Sequence, residues 1–486
     1  MLPDTVLDQL RFAVGPNGLI SEPNQLQTYE CDGLTNFRAL PGAVVLPRST
    51  AEVQAVVRLC AQHNIPFVAR GAGTGLSGGA LPQEGCVVIS LARMNRILSV
   101  DLANARITVE PGVTNSQVTD HVRAAGFFYA PDPSSQTVCT IGGNLAENSG
   151  GAHCLKYGFT TTHVLGCEVV LPNGEITCFG SPHGIVDTPG YDLAGVFIGS
   201  EGTLGIATRA VLRIVHRPQV VQTLLAAFNE VHAAAQSVSD IIAAGMLPSA
   251  MEMMDRISIF ASEASVHAGY PDCEALLLVE LDGPTAEVTT QMQQVRAICE
   301  QNGAWEQRLA QTEKERALVW KGRKAAFAAM GRVSPNYIVQ DGVIPRTRLP
   351  SVLEQMKRMS DANGLRVANV FHAGDGNLHP IVLYDGAIPG EEARALEFSY
   401  EILRLCVDAG GSITGEHGVG REKQCEMSYM YAAPDLATMQ RVRRAFDPHN
   451  LANPEKLFPT PRLCGERADG AYHPHPLEAA GIAEIF

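Results

Sequence analysis

The sequence predicts an α+β chain of two successive domains and an extended tail. Three observations carry this. At 486 residues the chain has room for two or three domains. Its first half mixes short strands with a helix and holds two glycine-rich loops, whereas its second half alternates longer helices with strands. Arg217-Pro218 separates the two patterns. Apolar residues make up 45% and charged residues 18%, a composition that builds large cores and excludes disorder as the main state.

Leu46-Pro-Arg-Ser-Thr-Ala-Glu52 opens a helix in which Ser49 is the cap and Glu52, three residues on, completes a capping box. Val53, Val56, Val57 and Cys60 follow at helical spacing, and the helix stops at His63-Asn64. Phe67-Val68-Ala69 is a short strand, and a glycine-rich loop leads to another, Cys86 to Leu91. Strand patterns then cover Arg106–Val109, Cys167–Leu171, Glu175–Phe179 and Arg209–Val215. A second loop, Ile141-Gly-Gly-Asn-Leu-Ala-Glu-Asn-Ser-Gly-Gly151, lies among them. Beyond Arg217-Pro218, helices are expected near 226–244, 285–302, 347–363 and 389–408, with strands at Leu276–Leu281 and Val367–Phe371. Residues 461–486 read as an extended tail, whose His473 and His475 are neither ligands nor bases.

Acidic residues outnumber basic ones, 51 to 37, for a net charge of −14. Such a chain lacks the cationic surface that drives binding to nucleic acid or anionic lipid. No apolar run approaches the roughly 18 residues of a membrane span, and Met1-Leu-Pro-Asp-Thr has no signal-peptide pattern. Twelve cysteines without a C-x-x-C read as reduced thiols in a cytoplasmic setting.

Gly73-Thr-Gly75-Leu-Ser-Gly78 matches G-x-G-x-x-G. A dinucleotide fingerprint needs a helix directly afterwards, and Pro82 and Gly85 interrupt one, although Asp101 stands at a suitable distance. Three readings stay open: an NAD site, a turn without ligand, and backbone N–H groups wrapping a phosphate.

Asn369-Val-Phe-His372-Ala-Gly-Asp-Gly-Asn-Leu-His379 contains Asp375-Gly376, a two-residue hairpin signal. Centred there, the turn pairs Gly374 with Asn377, Ala373 with Leu378, and His372 with His379. Opposed Cβ atoms lie about 4.5–5.5 Å apart, close enough for two imidazoles to share a cation. The alternative is histidines that stack or face solvent. Gly410-Gly-Ser-Ile-Thr-Gly-Glu416-His417-Gly-Val-Gly-Arg-Glu-Lys423 offers Glu416 as a third ligand of an open site and His417 as a general base. Arg323, in Trp320-Lys-Gly-Arg323-Lys324, is either part of a solvated helix face or a fork that grips a carboxylate.

Read with its flanks, Arg70-Gly-Ala-Gly-Thr-Gly-Leu-Ser-Gly-Gly79 resembles the pyrophosphate loop of FAD domains of the vanillyl-alcohol-oxidase (PCMH) type. Pro131-Asp132-Pro133-Ser134-Ser135, Ile141-Gly-Gly-Asn144, Asn148-Ser-Gly-Gly151, Lys156-Tyr157-Gly158 and Gly199-Ser-Glu-Gly-Thr-Leu-Gly-Ile206 resemble that fold's later flavin stretches. Joined to the C-terminal motifs, they make the chain similar to the FAD-linked 2-hydroxy-acid dehydrogenases from about residue 38 to 460. That family includes D-lactate and D-2-hydroxyglutarate dehydrogenases and the flavoprotein subunit of glycolate dehydrogenase. The resemblance implies a two-subdomain FAD-binding domain over 38–217, then an α+β substrate (cap) domain over 218–460 whose C-terminal segment returns to the flavin.

It also implies FAD contacts at Arg70, Gly71, Gly73, Thr74, Gly75, Leu76, Gly79, Pro131, Asp132, Ser134, Gly142, Gly143, Asn144, Asn148, Gly150, Gly151, Tyr157, Gly158, Glu201, Ile206 and Asn453. Thr74 stands where many covalent members have histidine, so the FAD is expected to be non-covalent; Cys139 is expected to pack. His372, His379 and Glu416 would bind a divalent ion (Zn, Mn or Fe), His417 would be the base, and Arg323 would hold the substrate carboxylate. Val339, where hydroxyglutarate enzymes tend to have lysine, argues against a dicarboxylic substrate, while Ala452 and Glu455 are minor departures. The implied reaction oxidises a small D-2-hydroxy acid, glycolate or D-lactate. An iron–sulfur partner subunit or a quinone would take the electrons, with a second flavin-domain subunit as a further partner and peripheral membrane attachment through such partners. The rivals are an NAD-dependent dehydrogenase and a flavin-binding electron-relay subunit.

Overall fold

The computed structural model describes residues 2–181, 190–460 and 464. The expected tail, with His473 and His475, lies outside them except for Cys464. The chain forms two compact units. Unit 1 comprises Met1–Gly150, Phe159–His216 and the residues from Glu416 on; unit 2 comprises Gly151–Gly158 and Arg217–Gly415.

Unit 1 holds two main sheets. The first runs Leu19–Ile20, Ala43–Val45, Val87–Ser90, Phe67–Arg70 in space, with its three longer strands parallel. The helix Thr50–Gln62 buries Val53, Val56, Val57 and Cys60 against it, the four positions at helical spacing. The Ser49 hydroxyl accepts the Glu52 amide as expected (3.3 Å). The return bond falls one residue early, on the Arg48 amide (2.8 Å), because Ser49 is extended and the amide before it faces back. The second sheet is antiparallel: Ile97–Asp101, Arg106–Val109, Ile206–Arg213, Val164–Val170, Ile176–Gly180.

Three expectations are corrected. The second glycine loop is in large part a helix, Ile141–Glu147, capped by the Thr140 hydroxyl on the Gly143 amide and ended by Asn148 in the left-handed region (φ 53°). A Cβ on Gly142 would stand 2.7 Å from Pro111, so close packing overrides poor helix propensity. The expected helix near 226–244 begins instead as a strand, Val220–Phe228, and the helix is Val231–Ala243. That strand pairs on both sides and is buried on both faces, so its continuous apolar run has no period-2 signature. Finally, the cysteines are not all thiols: Cys425 and Cys464, 39 residues apart with Cα atoms at 5.3 Å, form a disulfide. Tertiary proximity makes that pair, and no sequence spacing signals it.

Unit 2 is built on a nine-stranded sheet whose spatial order includes Glu306–Leu309, Val220–Phe228, Ala275–Gly283, Ala250–Asp255 and Arg366–His372. The helices Val231–Ala243, Thr285–Gln301, Leu349–Asn363 and Glu391–Asp408 cover one face. Arg256–Val266 and Glu313–Ala329 cover the other. Among the described residues, no helix is long and apolar enough to cross a membrane.

Candidate functional site

The helix Glu313–Ala329 lays a single stripe on its sheet. Arg316, Trp320, Arg323 and Phe327 are spaced 4, 3 and 4 residues apart, which aligns them on one face. Beneath them, Glu280 and Glu252 rise from neighbouring strands, on the same face as the apolar Leu278 and Met254. Glu280, 2% exposed, accepts from Trp320 Nε1 (2.7 Å) and Thr223 Oγ1 (2.5 Å) and pairs with His153 (3.0 Å) and Arg316 (3.3 Å). Burial alone would raise its pKa, but the His153 hydrogen bond and charge, with Arg316 and Thr223, outweigh that and hold it at about 2.

Arg323 is 2% exposed, so the reading of it as a solvated helix face does not hold. Its Nη2 lies 2.5 Å from Glu252 Oε2 in an ion pair, and its buried Nε has no hydrogen-bond partner among the described residues. Glu252 Oε1 meets His372 Nδ1 at 2.7 Å, because Glu252 and His372 are register partners on adjacent antiparallel strands.

The histidine hairpin differs in register from its expectation. His372 pairs with Asn377 and Asn369 with Pro380, so His379 stands across from Val370, not His372. The loop is four residues, 373–376, not two. Gly376 takes the left-handed conformation (φ 82°), its amide bonds the His372 carbonyl, and Asp375 Oδ1 takes the Asn377 amide. The shift is even, and side-chain facing has period 2, so both histidines still share a face. Their ring centroids are 5.1 Å apart, and the Phe327 ring lies 5.5 Å from His379.

Behind His379 stands Asp341, fully buried, with Oδ1 3.4 Å from Nε2. Asp341 Oδ2 accepts from Thr414 Oγ1 (2.5 Å) and the Gly415 amide (2.9 Å). Each imidazole thus has its own buried carboxylate, an arrangement that orients rings for a cation. Two clustered imidazoles with oxygen donors fit a divalent ion of the zinc, manganese or iron type. Sequence reasoning missed Glu252, Asp341 and Glu280. A glutamate inside an apolar strand such as Ala250-Met-Glu-Met-Met-Asp255 was the available signal, since a buried charge requires a partner.

Unit 1 contains Glu416 and His417 and most of the expected flavin residues. Glu416 passes the second loop, where a Cβ on Gly150 would stand 2.9 Å from its Oε2. The first and second loops meet: a Cβ on Gly71 would reach Thr140 Oγ1 at 2.4 Å and the Gly143 amide at 3.6 Å. Asn453 Nδ2 donates to the carbonyls of Gly79 (2.8 Å) and Glu201 (2.6 Å), joining three of the predicted stretches. The Glu201 carboxylate accepts the amides of Val419 (2.7 Å) and Gly420 (2.6 Å). Burial pushes its pKa up to about 7 against those two bonds, and pushes that of nearby Glu147 up as well.

Arg70 braces its loop through the Cys31 carbonyl (2.8 Å) and lies 5.6 Å from the centre of the Tyr29 ring. Ser134 is exposed; Pro131, Gly142, Asn144 and Ile206 are buried or half-buried. Gly151, Tyr157 and Gly158 belong to unit 2, where the Tyr157 hydroxyl donates to Asp282 (2.6 Å). Ser77 Oγ, Asn144 Nδ2 and Ser200 Oγ are buried without hydrogen-bond partners among the described residues. A Cβ on Gly75 would have no neighbour nearer than 3.8 Å. Donors of this kind around an open glycine loop fit an anionic dinucleotide.

Two family models match the chain. An FAD binding domain matches residues 41–180, and the C-terminal domain of FAD linked oxidases matches 217–457. The chain is 48% identical to glycolate oxidase subunit GlcD of Escherichia coli K12 over 479 residues, covering 98% of this chain and 95% of that protein. It is 32% identical to D-lactate dehydrogenase of Anaerostipes hadrus, covering 86% and 90%. The solved structure of p-cresol methylhydroxylase superposes with a TM-score of 0.79 at 20% identity, over 93% of this chain and 96% of that one, a likeness of fold alone.

Proposed function

Because the chain belongs to the FAD-linked oxidases, we propose that it oxidises a small D-2-hydroxy acid, glycolate to glyoxylate or D-lactate to pyruvate. The observation that supports this most directly is a buried guanidinium beside two clustered imidazoles in unit 2. A carboxylate and an adjacent hydroxyl are the groups such a set recognises.

In this reading Arg323 holds the substrate carboxylate. Val339 brings no cation for a second one, which favours a monocarboxylate. His372, His379 and Glu416 would hold a divalent cation (Zn, Mn or Fe) that supplies Lewis acidity toward the hydroxyl. His417 takes the hydroxyl proton. The first glycine loop and the glycine-rich helix Ile141–Glu147 would hold FAD non-covalently, and it would supply a two-electron acceptor for the α-hydrogen. An iron–sulfur partner subunit or a quinone would take up the electrons. The name of the Escherichia coli relative, a subunit, supports a partnered state, with a second flavin-domain subunit as a further partner. The setting is cytoplasmic, with any membrane attachment made through those partners.

Anaerobic mixing of the FAD-loaded protein with glycolate, D-lactate, L-lactate and D-2-hydroxyglutarate tests this. Bleaching of the flavin by glycolate or D-lactate, and not by the dicarboxylate, is expected. Oxidation that requires NAD overturns the proposal, and bound FAD that no hydroxy acid bleaches favours an electron-relay subunit.

A further inference from the structure

We propose that Glu252 is a positioning residue that ties the substrate-carboxylate grip to the cation site through its two oxygens. The inference rests on the roles proposed above for Arg323 and His372.

Glu252 has no exposed surface and sits in the strand Ala250–Asp255, between Met251 and Met253, which point into the core of the opposite face. A carboxylate so placed is costly unless its charge is matched. It is matched twice. Oε2 faces Arg323 Nη2 at 2.5 Å, and Oε1 faces His372 Nδ1 at 2.7 Å. The strand register sets the second contact and the helix stripe sets the first, so two independent elements converge on one side chain.

Each contact has a chemical consequence. An ionised carboxylate only accepts hydrogen bonds, so the His372 nitrogen facing it carries the proton, and Nε2 becomes the atom offered to a cation. The ion pair takes one guanidinium nitrogen and leaves Nε, buried and unpartnered among the described residues, as a donor for an incoming carboxylate. An ion pair with only a packing role would need neither a second partner nor an orphaned donor beside it. Because both contacts share one rigid carboxylate, a change at Glu252 reaches substrate binding and cation affinity together.

The test compares the wild-type holoenzyme with Glu252→Ala and Glu252→Gln. Cation dissociation constants are measured by chelator competition with Zn²⁺ or Mn²⁺, KM by flavin reduction, and FAD content by absorbance. Loss of a carboxylate behind a ligating imidazole weakens cation affinity by about 10–100-fold, and that loss is expected for Glu252→Ala together with a KM at least about tenfold higher and full FAD content. Glu252→Gln keeps an acceptor for His372 but loses the charge facing Arg323, so KM should rise by a similar factor with a smaller change in cation affinity. Should the alanine variant fail to fold, the isosteric glutamine variant decides through its KM. A folded variant with the wild-type cation constant and KM overturns this inference alone. A wild-type protein that binds neither cation overturns the metal assignment, and this inference with it.

Discussion

Replacing Glu280 by Gln removes one charge and turns one acceptor into a donor inside a site built of donors: Trp320 Nε1, Thr223 Oγ1, Arg316 Nη1 and His153. Two routes give the magnitude. The carboxyl is held at about 2 against an ordinary 4.5, and at about 1.36 kcal/mol per pKa unit that difference is worth roughly 3 kcal/mol. Breaking one side of a buried ion pair costs about 3–5 kcal/mol. Unit 2 should therefore lose about 3–4 kcal/mol. The chain has two tryptophans, and Trp320 is the buried one, so its emission reports this unit in urea. With m near the upper end of about 1–3 kcal/mol/M, the midpoint at pH 7 should fall by about 1 M. The pKa is depressed in the folded state, so the stabilisation is present above pH 4.5 and is lost as the pH falls through about 2. The gap between wild type and variant should narrow over that window. A midpoint shift below about 0.3 M, or a gap that stays constant on acidification, would refute the reasoning.

Four further outcomes are expected. Acid precipitation should release all of the flavin to the supernatant, because Thr74 offers no linking imidazole; colour in the washed pellet would contradict this. Gly75→Asp should abolish flavin retention, since it adds an anion to an open loop whose nearest side chains are already the carboxylates of Asp32 and Glu147. His417→Ala should keep its cation and FAD while flavin reduction slows by about 10²–10⁴-fold, the usual worth of a general base; loss of cation as well would remove the base assignment. Cys425→Ser should lower the unfolding midpoint of unit 1, since a bridge spanning 39 residues is worth about 4 kcal/mol by chain entropy; mass spectrometry after alkylation should show two extra blocked thiols only when the protein is reduced first.

Local signals made much of this legible. The spacing of Val53, Val56, Val57 and Cys60 gave the core face of the first long helix, and the His372–His379 hairpin was evident from its turn residues. Its register was misread by two positions, because Asp375-Gly376 fills the end of a four-residue loop as readily as a two-residue one. The error left the facing intact, which is why the histidine pair survived it. What the sequence hid was tertiary. The glycine-rich run in Ile141–Glu147 has the composition of a loop, and only the packing of Pro111 on Gly142 favours the helix, while Glu252 and Glu280 gain their meaning only from a helix more than 30 positions away in the chain.

The stripe Arg316, Trp320, Arg323, Phe327 makes one helix serve as an axle. Its near end is gripped by Glu280, its middle carries the guanidinium, and its far end leans on His379. A roll of about 15° would sweep side-chain tips at the helix's roughly 6 Å outer radius through about 1.5 Å. That exceeds the ~1 Å misplacement that can cost about 10²-fold in rate. The knot around Glu280 therefore acts as a detent on rotation, and the contacts of His153 and Thr223 with that carboxylate help to set the angle at which the helix presents Arg323.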